Sequence, residues 1–125
     1  MKDQLSLPDR VLRDLLLGFT RVHILHHAAQ EGVFGLGLIE ELARHGYRLS
    51  PGTVYPLLHE MKAAGLLYAE RRQVGGRLRN YYRATGEGLQ ALAEARDKLR
   101  ELVAEVLVDT ESPSVPPRNA KPTSE

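Results

Sequence analysis

Between Ser50 and Ala84 the chain switches from helical to strand periodicity, and that switch restricts its fold more than any other feature. Serine then proline at 50–51 is a strong helix start. The serine suits the N-cap, and proline at the first helical position gives up an N–H that would be unpaired there anyway. Val54, Leu57, Leu58 and Met61 follow on one face, within about a third of the helical wheel, and the run stops near Gly65. Leu66 to Ala84 then reads as two strands around Gly75-Gly76, a β-hairpin turn pair.

The flanking segments are helical. Ser6 with Asp9 three residues on forms a capping box. Val11, Leu12, Leu15, Leu16, Phe19, Val22 and Ala29 recur at helical spacing, predicting a first helix over about 8–30. A break at Gly32, Gly35 and Gly37 precedes a short helix over about 36–45, with Leu36, Ile39, Leu42 and Ala43 expected inward and Gly46 closing it. Thr85 caps a last helix running to about Val108, and the remainder, with four prolines and almost nothing apolar, is expected to be disordered. The order helix, helix, helix, hairpin, helix outlines a winged helix-turn-helix. The expected fold is therefore mainly α with a small β-hairpin wing (α+β), a winged helix-turn-helix followed by a long C-terminal helix. Its expected divisions are 1–84 for the winged domain with its long N-terminal helix, 85–108 for a dimerisation helix and 109–125 for the tail.

A chain of 125 residues is enough for one modest core, and the absence of cysteine excludes disulfides, thiol catalysis and cysteine-ligated zinc, and suits a reducing cytoplasm. No apolar run approaches the ~18 residues of a membrane span, and the N-terminus lacks the apolar core of a secretory signal. Net charge is only +1, but from Arg71 to Gly86 there are five arginines and no acid. Such a local basic stripe is the footprint of a surface that docks on phosphates, although a solvated charged hairpin would look the same.

The third helix carries Tyr55, Pro56, His59 and Lys62 opposite its apolar face, with Thr53 near its start. That is the layout of a major-groove reader, docked by one face and offering donors on the other; an amphipathic surface helix shares the pattern. The first-turn N–H groups and the hydroxyls of Ser50 and Thr53 suit a phosphate. Pro56 removes the helical bond to the Gly52 carbonyl, an expense that points to special local geometry.

LSPGTVYPLLHEMKAAGLL (49–67) followed by GGRLRNYYRATGEG (75–88) closely resembles the PadR family of transcription regulators, and ELARHGYRLS (41–50) resembles its approach to the recognition helix. The likeness spans roughly residues 12 to 108, and the single C-terminal helix resembles the family's smaller subtype. It implies a cytoplasmic repressor acting as a homodimer on an inverted-repeat operator in double-stranded DNA, with affinity relieved by a small effector. Carried over position by position, it implies recognition-helix contacts from Ser50, Thr53, Tyr55, Pro56, His59 and Lys62. Gly76, Arg77 and Arg79 match the wing tip, and Tyr81 and Tyr82 the wing tyrosines, at least one of which packs the wing onto the domain.

Arg77 and Arg79, two apart on a strand, share a face that Arg71 and Arg83 could extend. Leu89, Leu92, Arg96, Leu99, Val103 and Val106 alternate three and four apart, an apolar seam with one arginine in it. Leu92, Leu99, Val103 and Val106 are its candidate dimer contacts; packing on the chain's own domain is the other outcome. His23, His26 and His27 sit on or beside the apolar face of the first helix. They are read as buried or interfacial histidines rather than metal ligands, so no metal or other cofactor is assigned, but a pH-sensitive contact or a metal or stress effector stays open there. No serine–histidine–acid set, P-loop or HExxH motif is present, which argues against an enzyme. A winged helix turned protein-interaction module is the remaining alternative, and the arginine wing argues against it.

Overall fold

The N-terminal cap at Ser6 sets the first helix in place. In the computed structural model, which describes residues 5–108, the Ser6 hydroxyl accepts from Asp9 N at 3.3 Å and donates to the Asp9 carboxylate at 3.0 Å. Helix α1 then runs Leu7–Gln30, α2 Gly35–Arg44 and α3 Pro51–Ala63; strands β1 (Leu67–Val74) and β2 (Arg77–Ala84) form the hairpin, and α4 (Gly86–Leu102) continues as a π-helical segment over Val103–Val108. The expected tail at 109–125 lies outside the described residues. None of the described helices is long and apolar enough to cross a membrane.

One core joins these elements. Ile24, Leu25 and Ala28 of α1, Leu38 and Leu42 of α2, and Val54, Leu57, Leu58 and Met61 of α3 meet Leu67, Tyr82 and Leu92. The apolar face expected of α3 is the buried one. Helix α2 meets expectation at Leu42, which is buried, and at Ile39, half-buried against the core, but departs from it elsewhere: Leu36 is 43% exposed and Ala43 is exposed, while Leu38 is buried. The cause is a close approach at Gly35, where a β-carbon would overlap the Tyr55 ring. That contact fixes the rotation of α2 from a distance, beyond the reach of its own periodicity.

The hairpin turns at Gly75 and Gly76, with φ of 60° and 80°. Positive φ at both central residues is the requirement of a type I′ turn, whose twist matches the strands. Val33 adds a bridge on the outer edge of β2, its N–H donating to the Tyr82 carbonyl at 2.9 Å. Thr85 locks the wing to α4: its hydroxyl accepts from Gly88 N at 3.0 Å and donates to the Gly65 carbonyl at 2.6 Å, while its N–H reaches the Leu66 carbonyl at 3.1 Å.

Candidate nucleic-acid interface

Helix α3 begins at Ser50, whose backbone is extended (φ −87°, ψ 162°) and whose side chain makes no capping bond. The Thr53 and Val54 N–H groups instead bond the Ser50 carbonyl, at 3.0 and 3.1 Å. The exposed hydroxyl is thereby left for an outside acceptor. Pro56 does not break the helix. Pro56 and Gly52 are both exposed, so the carbonyl that loses its partner lies on the wet side.

His59 and Lys62 are exposed along this same helix, and Thr53 is half-buried. Tyr55 behaves differently from a free recognition side chain. It is half-buried because its ring lies over Gly35, at the start of α2. Tyr55 therefore braces α3 against α2 and offers only part of its surface outward.

On the wing, Gly76 and Arg77 are exposed at the tip and Arg79 is half-buried. The register pairs Arg72 with Arg79, Glu70 with Tyr81, Tyr68 with Arg83 and Arg71 with Asn80. Directly opposed residues share a face, so Arg83 and Arg72 join Arg77 and Arg79, and Arg71 lies on the other side. The expected extension of the basic face thus holds for Arg83 and is corrected for Arg71, whose place Arg72 takes.

A stack organises that face. Phe34 and Tyr81 stack with ring centroids 5.8 Å apart, the Arg79 guanidinium lies 4.8 Å from the Phe34 centroid, and that of Arg72 lies 4.5 Å from Tyr81. Of the two wing tyrosines, Tyr82 is the one buried in the core, 3% exposed, and burial raises its hydroxyl pKa above the ordinary value. Phe34 was expected only as an aromatic that could stack on a flat effector, and its place under the Arg79 guanidinium was not foreseen, because it carries no charge and no motif.

The four candidate dimer contacts divide. Leu92 is buried in the chain's own core and Leu99 is half-buried, whereas Val103 and Val106 are 41% and 54% exposed. The arginine in the seam has a partner: an Arg96 guanidinium nitrogen lies 3.2 Å from His26 Nδ1, tying α4 to α1.

His23 and His27 meet a second group from the end of α2 and the residues just after it. The His23 ring lies 5.3 Å from that of His45 and 5.5 Å from Tyr47, and Glu41 lies 3.1 Å from His45 and 3.9 Å from His27. Glu41 is also bonded to Arg44, and Arg44 first, then His45, hold its carboxyl below the usual range. Among the described residues no group of three or more such side chains is arranged to hold a metal ion. Burial first, and then repulsion from neighbouring histidines, lowers the pKa of both His23 and His27. The unfolded chain therefore binds protons here that the folded one resists. The stability tied to these neutral rings is complete above the ordinary histidine value of ~6.5 and is lost as pH falls from there through their lowered folded values. Melting temperature should drop between pH 7 and 5.5, and His23→Gln with His27→Gln should shrink that drop; an equal drop in the double variant would remove these rings as its source.

A family model described as "Transcriptional regulator PadR-like family" matches residues 24–94. The chain is 54% identical over 96 residues to Transcriptional regulator Rv3488 of Mycobacterium tuberculosis, an alignment covering 77% of this chain and 90% of that protein. It superposes on a PadR-like transcriptional regulator from Bacillus cereus with a TM-score of 0.68 at 30% identity, covering 78% of this chain and 99% of the other. A PadR family transcriptional regulator from Eggerthella lenta gives 0.63 at 30% identity, covering 82% and 96%.

Proposed function

This chain belongs to the PadR-like family of transcriptional regulators, and from that premise we propose that it is a homodimeric repressor that reads an inverted-repeat operator and releases it on binding a small effector. The observation that carries the reading is the pairing of an exposed polar face on α3 with an arginine-bearing wing rigidly joined to it through Tyr55, Gly35 and Phe34. A helix docked by an apolar face and a basic wing beside it suit one major groove and its neighbouring backbone. Ser50, Thr53, His59 and Lys62 serve the helix, and Gly76, Arg77 and Arg79 the wing.

Dimerisation is supported by apolar side chains left exposed on α1 and beyond Leu102, among them Leu12, Leu15, Leu16, Val103 and Val106. A two-fold pair would space two recognition helices about one DNA turn apart. For the effector, a cavity of about 260 Å³ opens between the end of α1, α2 and the wing, with His27, Glu31, Phe34, Leu38 and Tyr81 in its lining.

Selection of bound fragments from genomic DNA, followed by footprinting, tests the reading; two protected half-sites are expected, and no enrichment of any sequence would refute it. Arg77→Ala with Arg79→Ala should weaken that binding and flatten its salt dependence, by about 0.9 in log–log slope for each phosphate released. An unchanged slope would take the wing off the DNA.

A further inference from the structure

Four imidazoles gather where α1 meets α2. The His23 ring lies 5.3 Å from His45, 6.1 Å from His27 and 5.5 Å from Tyr47, and the His26 and His27 rings are 5.0 Å apart. His23, His26 and His27 belong to α1, whereas His45 and Tyr47 lie in the turn that leads from α2 to α3. The charged groups around them come from each neighbouring element. Glu41 of α2 lies 3.1 Å from His45 and 3.9 Å from His27, and is shared with Arg44. Glu31, at the end of α1, also acts on His27, and an Arg96 nitrogen from α4 lies 3.2 Å from His26 Nδ1.

This arrangement accepts neutral rings and resists charged ones. Burial opposes a proton on His23, with His45 next in effect; burial and then His26 oppose one on His27. Glu41 favours the proton at both rings and does not outweigh them. Fully protonated, the cluster would set four imidazolium rings and the Arg44 and Arg96 guanidinium groups against two carboxylates, Glu41 and Glu31.

The place of the cluster in the fold gives that repulsion a consequence. Helix α1 carries the exposed apolar stripe of the proposed homodimer, and the Tyr55 ring over Gly35 fixes α3 to α2. A short link, with Gly32 at a φ of 91°, joins α1 to this α2–α3 pair along the chain. We propose that the histidine cluster is a proton-operated latch, which with neutral rings holds the α2–α3 pair on α1 and with charged rings releases it, so that the two recognition helices of the dimer lose their spacing and the operator is let go. The inference rests on the DNA-binding and homodimer reading above and adds a signal to it, acidification itself. Histidine is the side chain suited to that range of pH.

A latch that closes only over neutral rings binds fewer protons than its open form. Operator affinity should be complete above the ordinary histidine value of ~6.5. Below it, affinity should fall by up to about tenfold per pH unit for each ring that must stay neutral. Acidification also adds positive charge, and by that route it tightens binding to a polyanion; a fall therefore has the opposite sign to the general electrostatic effect.

The test uses the full chain and the DNA it selects at pH 7.5, with a metal chelator throughout, over the pH range in which circular dichroism shows native helix content. At constant ionic strength, affinity should fall about tenfold or more between pH 7 and 5.5. His23→Gln with His27→Gln should bind as the wild type does at pH 7.5 and lose most of the fall. His45→Gln, at an exposed turn position, should shrink it too. Glu41→Gln withdraws a carboxylate that steadies charged rings in the closed latch, and should deepen the fall. Without DNA, hydrogen exchange corrected for its intrinsic rate should show α2 and residues 45–49 losing protection on acidification while β1 and β2 keep theirs. An affinity that stays flat or rises on acidification, a fall that persists in both histidine variants, or an equal loss of protection in every element would overturn the latch and leave DNA binding in place. Failure of the wild-type chain to select any DNA, or a monomeric mass in sedimentation velocity, would overturn the reading on which the latch rests.

Discussion

Gly88→Ala should lower the melting temperature by about 15 °C, a loss of about 3 kcal/mol at the severe end of overpacking. Gly88 is buried in the first turn of α4. A β-carbon there would overlap the Leu66 carbonyl oxygen and crowd its carbonyl carbon, both backbone atoms. Neither atom can swing aside as a side-chain tip can. The same Leu66 carbonyl accepts from Thr85 N, and the Thr85 hydroxyl caps α4 at Gly88 N. The substitution therefore forces apart the joint at which wing, α3 and α4 meet. Gly86→Ala is the control: it lies in the same turn and its added methyl meets nothing within 4 Å. Gly88 has no positive φ, so any loss reports the overlap and not backbone strain. A Gly88→Ala melting point within a few degrees of wild type would show that α4 does not depend on this approach.

What could be read from the sequence was what local chemistry decides. Ser50-Pro51 starts α3, the Gly75-Gly76 pair turns the hairpin, Thr85 caps α4, and Val54, Leu57, Leu58 and Met61 face the core as their spacing requires. What escaped it depends on contacts between residues far apart in the chain. The rotation of α2 is set by Tyr55 against Gly35, so Leu38 takes the inward place expected of Leu36. Arg96 interrupts the apolar seam of α4 because it reaches His26 on α1, and the histidines of α1 meet His45 and Glu41 because α2 folds across them. In the site, the likeness of α3 and the wing to a known pattern was visible, while the stacking of Arg79 on Phe34 was not. No spacing rule connects an aromatic residue ahead of α2 with an arginine on β2.

For the proposed homodimer, Leu12→Glu with Leu16→Glu should leave a monomer and weaken operator binding by about a hundredfold or more, the loss expected when two linked half-sites are bound one at a time. Scattered apolar residues are ordinary on a surface; a continuous apolar stripe is not. Leu7, Val11, Leu12, Leu15 and Leu16 are 64%, 57%, 48%, 44% and 44% exposed along one helix, and Leu102, Val106 and Leu107 are 48%, 54% and 68% exposed at the end of α4 and just beyond it. Each such side chain is worth ~1.5–3 kcal/mol when fully buried, and a two-fold axis uses every contact twice. In the proposed two-fold dimer a carboxylate at two of these positions would be carried into a desolvated contact, which reverses the sign of the interaction. These positions precede the buried run of Ile24, Leu25 and Ala28, so the winged domain's core keeps its packing. Val106→Glu tests the same interface from the segment after α4 and should act in the same direction. Sedimentation velocity reads the mass, and footprinting reads whether protection contracts to single half-sites. A Leu12→Glu, Leu16→Glu variant that remains dimeric with wild-type affinity would exclude α1 from the interface and move the two-fold axis elsewhere on the molecule.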